Sequence, residues 1–191
     1  TIDAWNTLKR DRVLRTDPQF VDDDMVSAYE WMVSRMRERV GTEPPECRFP
    51  VWAWYQWGGQ SKRRPDLRAG GHLPKGSRGV RLEIELDERR VLLSDFELWH
   101  YVLNYWYLPE SEEDGESFEA ELKAAGLCFF REKPLPDPGY HKRIEASWLR
   151  IFDLDWSAKE IASPREDKQI QAVLGELREE NIRSVQYFTA R

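Results

Sequence analysis

Aromatic side chains and positive charge adjoin in one stretch of the sequence. The chain has nine tryptophans among 191 residues, and residues 52–57 alone hold four large aromatic side chains. A glycine-rich segment follows, in which residues 61–78 carry six Lys or Arg side chains against one acid, Asp66. Aromatic rings stack on bases, and Arg, Lys and backbone N–H groups hold phosphates. The pattern predicts a nucleotide or nucleic-acid pocket; the alternative is that the tryptophans fill the core.

The basic segment has no nucleoside-triphosphatase motif. Lys75-Gly76-Ser77 lacks the glycines that precede the lysine in a Walker sequence. A looser phosphate cradle remains, in which glycine amides act together with Arg64 and Arg68. His72 lies among glycines, in a loop that could close over a ligand. For this segment, and for the acidic residues 110–121 that contain no Lys or Arg, the alternative is a solvated loop.

His100 is the candidate general base. It lies beside Trp99 in the first turns of a predicted helix, where an imidazole can accept a proton or anchor a ligand. The alternative is a satisfied, partly buried histidine. The spacing of His72, His100 and His141 shows no local metal pattern, so we predict no metal. No serine stands in a nucleophile elbow, which argues against serine hydrolase chemistry.

The composition restricts the class of protein. A net charge of −6 argues against a general nucleic-acid binder, because such proteins carry a basic face. The two cysteines have no metal or disulfide spacing. No apolar run approaches the roughly 20 residues needed to cross a bilayer, and no signal-peptide pattern opens the sequence. We therefore expect a cytoplasmic protein with no membrane partner.

The hydrophobic pattern predicts a single α+β domain over residues 1–191, with a mixed sheet and flanking helices. Predicted helices begin at Asp3, near Asp22, at Asp95, at Ser117 and at Ser163. The helix from Asp95 rests on a capping box of Ser94 and Glu97. Predicted strands cover residues 49–57, 80–86, 91–93, 127–131, 148–154 and 182–189, with a helical turn as the alternative for 148–154. We expect the first strand to be central and the second and third to be adjacent.

Three phrases of the sequence resemble an uncharacterised bacterial family, a domain of unknown function. They are Pro50-Val51-Trp52-Ala53-Trp54, Ser94-Asp95-Phe96 with Trp99-His100-Tyr101-Val102-Leu103-Asn104, and Ile170-Gln171-Ala172 with Phe188-Thr189-Ala190-Arg191. The resemblance spans nearly the whole chain and implies no activity.

A second resemblance is to the ADP-ribosyltransferase fold, a split, mixed sheet that binds NAD in a cleft. Residues 168–191 are similar to the closing segment of its DNA-targeting bacterial members, which opens on Gln-Ala-Glu. Here that run reads Gln171-Ala172-Val173, so Val173 replaces the glutamate that stabilises the ribosyl centre.

This resemblance implies roles for several residues. Arg15 or Arg81 would hold the pyrophosphate of NAD, and Trp52 or Trp54 would stack on nicotinamide. Gln171 would orient the ribose or the target; the alternative is that it lies on a helix shoulder beside Leu174 and bonds to a neighbouring loop.

Two functions follow from these expectations. The first is transfer of ADP-ribose from NAD to a nucleic-acid or protein acceptor, as in some toxins. The alternative is a non-catalytic nucleotide-, RNA- or protein-binding module on the same fold, which the absence of the glutamate favours.

Overall fold

A computed structural model describes residues 1–41, 44, 46–61, 63–128 and 131–191, with Gln60 described by its backbone alone. Its helices are α1 (Ile2–Asp11), α2 (Val26–Arg39), α3 (Phe96–Leu103), α4 (Glu112–Ala124) and α5 (Pro138–Ser147). Its strands are β1 (Val13–Leu14), β2 (Val51–Gln56), β3 (Arg78–Ile84), β4 (Leu92–Asp95), β5 (Ile170–Leu174), β6 (Leu177–Arg178) and β7 (Ile182–Thr189). Among the residues described, no helix is long and apolar enough to span a bilayer.

The strands form three small sheets. β1 pairs with β6 and β3 pairs with β7, both antiparallel, and the third sheet has the order β2-β5-β4. All five residues of β5 are buried, as expected for the middle strand of a covered sheet. The predicted α+β class is confirmed. The ADP-ribosyltransferase-like arrangement of a split sheet stays a prediction.

The chain divides into two compact units. The first unit comprises residues 1–53, 64–92 and 172–191, and the second comprises residues 54–63 and 93–171. Buried apolar side chains of the first unit include Leu8, Met32 and Met36, and those of the second include Phe118 and Ile151. Each unit therefore has apolar side chains withdrawn from solvent. The assignment of residues 1–191 to one domain stays a prediction.

The predicted helix from Ser163 is wrong. Only a short 3₁₀ turn, Arg165–Asp167, follows the Ser-Pro start signal, and the chain then enters β5. Val173 and Leu174 are buried as expected, but on a strand. A run of five consecutive buried residues suits a covered strand, and this requirement prevails over the local capping signal. Gln171 accordingly lies on β5, so a position on a helix shoulder is also wrong.

Two predicted strand arrangements are wrong. The aromatic strand β2 stands at one end of the order β2-β5-β4, so it is not central. β3 pairs with β7, whereas β4 belongs to the three-stranded sheet, so β3 and β4 are not paired neighbours. Alternation along a sequence shows which residues form a strand, whereas the choice of partner depends on distant segments.

The cap of α3 is Asp95 rather than Ser94. Oδ1 of Asp95 accepts hydrogen bonds from the backbone N–H of Glu97 at 2.9 Å and of Leu98 at 3.2 Å. Ser94 lies in β4 and is completely buried. The helix therefore begins one residue later than the capping box predicts.

The acidic residues 110–121 lie largely in a helix. Ser111 caps α4, and the first turn of α4 holds Glu112, Glu113 and Asp114. Negative charge there stabilises the N-terminus of the helix. This helix begins five residues before the predicted one, and the loop prediction is wrong. The predicted strand 127–131 includes Phe129 and Phe130, which lie outside the described residues. Residues 148–154 form the alternative, a helical turn at Trp148–Phe152.

Candidate functional site

Arg81 is held in the middle of β3, in the first unit. It stands opposite Gln186 in the antiparallel pairing of β3 with β7. Its Nη2 donates a hydrogen bond to the backbone oxygen of Pro65 at 3.0 Å. Within the described part of the chain it makes no ion pair, so its positive charge is not offset by a carboxylate. Its place in β3 and its hydrogen bond to a neutral oxygen thus hold the Arg81 side chain. The guanidinium keeps a positive charge with which it can bind an anion.

Phe188 lies on the same face of the β3–β7 pair. It is the partner of Gly79, and directly opposed residues of antiparallel strands share a face. A Cβ atom added at Gly79 would lie 2.3 Å from Cζ of Phe188, so the ring sits directly on the glycine. Because residues 79 and 81 point to the same side of β3, an aromatic ring and the Arg81 guanidinium lie side by side.

Two arginines of the basic loop complete a cavity. Arg64 pairs with Glu83 at 2.6 Å, and Arg68 pairs with Asp66 at 2.8 Å. Hydrogen bonds from the Arg68 side chain and backbone lower the pKa of Asp66 to about 2. The cavity has a volume of about 370 Å³ and is lined by residues 64–68, 81 and 186–188. Its volume is in the lower range of ligand sites, about 300–1,000 Å³.

The charge of this cavity is positive. Three arginine side chains line it, and Asp66 is the one carboxylate among its lining residues. We call it the arginine cavity. Backbone hydrogen bonds hold the loop in place: Arg191 donates to the oxygen of Arg68 at 2.9 Å, and Gly76 donates to the oxygen of Ala190 at 3.0 Å. Lys62, part of the predicted basic segment, lies outside the described residues.

Arg15 is engaged elsewhere in the first unit. Its Nε and Nη2 donate to Oε2 of Glu176 at 3.0 and 2.7 Å, and Nη2 lies 3.1 Å from Glu46. Glu176 also accepts a hydrogen bond from Arg178 at 2.7 Å. Burial opposes ionisation of Glu176, but the hydrogen bonds from Arg15 and Arg178 prevail and lower its pKa. A phosphate would have to displace these carboxylates to bind Arg15.

Glu176 is a buried charged residue that no signal in the sequence reveals. Its side chain is 5% exposed, although Glu is seldom buried without partners. The Gly-Glu-Leu-Arg stretch around it has no pattern that distinguishes it from the other acids. The partner Arg15 is 161 residues away in sequence, so no local spacing reveals the pair.

Two further predicted residues of the first unit lie apart from the lining of the arginine cavity. Trp52 packs against Tyr29, with ring centroids 5.5 Å apart, in an aromatic group that includes Phe49. His72 is half-buried in the glycine-rich loop. Neither residue lines the cavity around Arg81.

The second unit brings Trp54 and His100 into one aromatic row. Phe96 stands between them, with ring centroids 4.9 Å from each. Nδ1 of His100 lies 3.1 Å from the oxygen of Phe96 and 3.2 Å from that of Glu97. A carbonyl oxygen only accepts, so Nδ1 carries a proton in this contact, and Nε2 of a neutral imidazole is left as an acceptor. The geometry suits a base or a hydrogen-bonding anchor.

Gln171 is buried in the second unit. Its exposed fraction is 7%, and its Oε1 has no hydrogen-bond partner among the described residues. An amide buried to this degree has little surface with which to contact a ligand. Across the described residues we find no group of three or more His, Cys, Asp or Glu side chains that could hold a metal ion.

Residues 1–183 match a family described as Domain of unknown function (DUF3841). No curated protein and no solved structure shows significant similarity to the chain. The match covers nearly the whole sequence, and the chain belongs to the DUF3841 family.

Proposed function

We propose that the arginine cavity binds a nucleotide, and that the protein acts on NAD in the manner of an ADP-ribosyltransferase. The observation that carries the proposal is the position of Arg81 and Phe188 on one face of the β3–β7 pair, where both line the cavity. A guanidinium binds a phosphate through two parallel hydrogen bonds, and an aromatic ring supports a base or nicotinamide. The cavity volume suits one half of a dinucleotide better than the whole.

The loop arginines are suited to strengthen this contact. Arg64 and Arg68 pair with exposed or half-exposed carboxylates, and ion pairs this open to solvent contribute little to stability. A pyrophosphate that carries two negative charges would replace these partners at little cost.

Transfer of ADP-ribose makes a further demand. The bond between nicotinamide and ribose must break, and a carboxylate usually stabilises the positive charge that develops on the ribose. Val173 is apolar and completely buried where the resemblance places that glutamate. This observation favours the second candidate function, nucleotide binding without turnover. A nucleic-acid or protein acceptor and a cytoplasmic location stay predictions.

The first test compares the ADP-ribose affinity of variants that lack an arginine of the cavity with that of a variant that lacks an arginine elsewhere. We expect Arg81→Ala to weaken ADP-ribose binding, measured by calorimetry, by about tenfold or more, since a hydrogen bond to a charged group contributes about 1.5–3 kcal/mol. Arg68→Ala should weaken it by a smaller factor. Arg89→Ala is the control, because Arg89 holds Asp87 as Arg68 holds Asp66, with the pKa of both acids lowered to about 2, but lies outside the cavity lining.

The outcomes separate the proposals. Equal losses in Arg68→Ala and Arg89→Ala would show that the effect is only one of net charge and would contradict a specific cavity. Release of nicotinamide from NAD would support the transferase. Binding of ADP-ribose without nicotinamide release would support the non-catalytic module.

A further inference from the structure

The outer edge of β7 has no partner strand among the described residues. β7 pairs with β3 in a two-stranded sheet, so its second edge stays open. The backbone N–H of Ala190 donates to the oxygen of Ser77 at 2.9 Å, on the side of β3. Because these groups alternate in direction along an antiparallel strand, the N–H and C=O groups of Val185, Tyr187 and Thr189 point away from β3. They form a row of donors and acceptors that another strand can pair with.

Most of β7 is also open to solvent. The strand is eight residues long, and residues 183–187 are all exposed. Its exposed residues include two large hydrophobic ones, Val185 at 37% and Tyr187 at 57%. Proteins usually protect a long edge strand with proline, with charged side chains or with a covering element. β7 contains no proline and one charged residue, Arg183. Such an edge is suited to pairing with a further strand.

The two hydrophobic side chains are held on one face of the strand. Val185 and Tyr187 lie on the face opposite to Phe188, because successive residues of a strand point to opposite sides. Nε1 of Trp5, on α1, donates a hydrogen bond to the hydroxyl oxygen of Tyr187 at 2.9 Å. A ring that is already held in this way loses little side-chain freedom when a partner covers it.

A second copy of the same strand fits this edge. When two β7 strands meet antiparallel, with a two-fold axis at Gln186, Val185 of each copy lies opposite Tyr187 of the other. Both residues direct their N–H and C=O groups outward, so each such pair exchanges two backbone hydrogen bonds. An aromatic ring opposite a β-branched side chain is also a favourable cross-strand pair. The strand is therefore complementary to itself.

The charges of the two strands are complementary in this arrangement. Glu180, in the turn that precedes β7, is exposed and forms no ion pair within the described residues, and Arg191, after β7, is exposed. Pairing about Gln186 brings the acidic start of one strand to the basic end of the other. Arg183 lies opposite Thr189, so no like charges are opposed. A shift by two residues would place Arg183 opposite Arg191, and like charges directly opposite are unfavourable.

We propose that the protein forms a dimer in which β7 of one copy pairs antiparallel with β7 of a second copy about Gln186. The same edge meets itself, so the assembly closes at two copies. β3 and β7 of both copies form one four-stranded sheet, with both arginine cavities on the same face. Three strand spacings separate the two Arg81 Cα atoms, which is about 14 Å. The dimer is independent of the nucleotide proposal and stands whether or not the arginine cavity binds NAD.

Cysteine cross-linking in solution tests the pairing. Residues 186 of the two copies would form a non-hydrogen-bonded pair with Cα atoms about 4.5 Å apart, which a disulfide can span. We expect Gln186→Cys to give a covalent dimer under mild oxidation. Ser184→Cys is the matched control, because it is exposed on the same face of β7 but would lie opposite Phe188, and it should stay monomeric. Both variants are made with Cys128→Ser, which removes the half-buried native thiol; Cys47 is buried.

Analytical ultracentrifugation measures the dimer without introduced cysteines. We expect Val185→Lys to weaken dimerisation about tenfold, because each copy loses its pair with Tyr187 and a lysine on an edge strand opposes pairing. Gln19→Lys makes the same change in charge at an exposed residue outside β7 and should dimerise like the unchanged protein. Thermal unfolding of both variants checks that the exposed substitutions leave the fold intact.

Three results would overturn the proposal. They are a monomer at every concentration up to millimolar, equal cross-linking of Gln186→Cys and Ser184→Cys, or equal dimerisation of Val185→Lys and Gln19→Lys. A chain that stays monomeric would leave the edge of β7 to a strand of a different protein.

Discussion

At the scale of single residues, arginines with similar local sequences have different surroundings. Arg81 has a neutral acceptor and keeps its charge available, whereas Arg15 is bound by Glu176 and Glu46. The sequence predicted Arg64, Arg68 and Arg81 as ligand-binding residues, and the structure brings these three together at one cavity. The sequence could not predict the ion pair of Arg15 with Glu176, because Glu176 lies far from Arg15 along the chain.

The buried carboxylate of Glu176 should make stability depend on pH. Its pKa in the folded protein is below the ordinary 4.5, so the unfolded chain binds the proton more tightly. The stability from this group is complete above pH 4.5 and is lost as the pH falls through the folded-state pKa. We expect Glu176→Gln to lower the free energy of unfolding at pH 7 by about 1–3 kcal/mol, with a smaller loss at pH 4.

Urea denaturation at pH 7 and pH 4 measures this difference. Glu85→Gln is the control, because Glu85 forms an ion pair with Arg183 in which both side chains are more than half exposed. Its effect at pH 7 should not exceed about 1 kcal/mol. Equal effects of the two variants would show that Glu176 is not a buried, strongly bound carboxylate.

At the scale of elements, the pair β3–β7 carries the nucleotide proposal. Both strands were predicted from their alternating or β-rich sequences. Their pairing was not, because Gly79 and Phe188 come from distant parts of the chain. At Ser163 a local helix-start signal precedes a strand, because packing prevailed over it. The helix α5 was not predicted, although Asp137 and Pro138 form an ordinary helix start.

A methyl group at Gly79 should disturb this pair. We expect Gly79→Ala to lower the free energy of unfolding by about 1–3 kcal/mol, since the new Cβ would clash with the Phe188 ring. The displaced ring should also weaken ADP-ribose binding. Thermal unfolding and calorimetry measure the two effects.

Gly70→Ala is the matched control in the same unit. A Cβ at Gly70 meets nothing within 4 Å, and its backbone is not in the left-handed region. We expect no loss of stability and unchanged ADP-ribose affinity. Equal stability of the two variants would contradict the close contact of Phe188 with Gly79.

At the scale of the whole molecule, charge is distributed in local regions. The net charge is −6, yet the arginine cavity is positive, with three arginines and one carboxylate among its lining residues. The sequence predicted the basic region and the α+β class, because both are visible in composition and periodicity.

The most direct test of the nucleotide proposal is thermal unfolding of the protein in a titration with NAD. A ligand that binds only the folded state adds about 2.7 kcal/mol to stability at a hundredfold excess over its Kd. We expect a rise in Tm with NAD concentration that is strongly reduced in Arg81→Ala and preserved in Arg89→Ala. No rise at millimolar NAD or ADP-ribose, or an equal rise in Arg81→Ala, would contradict nucleotide binding at the arginine cavity.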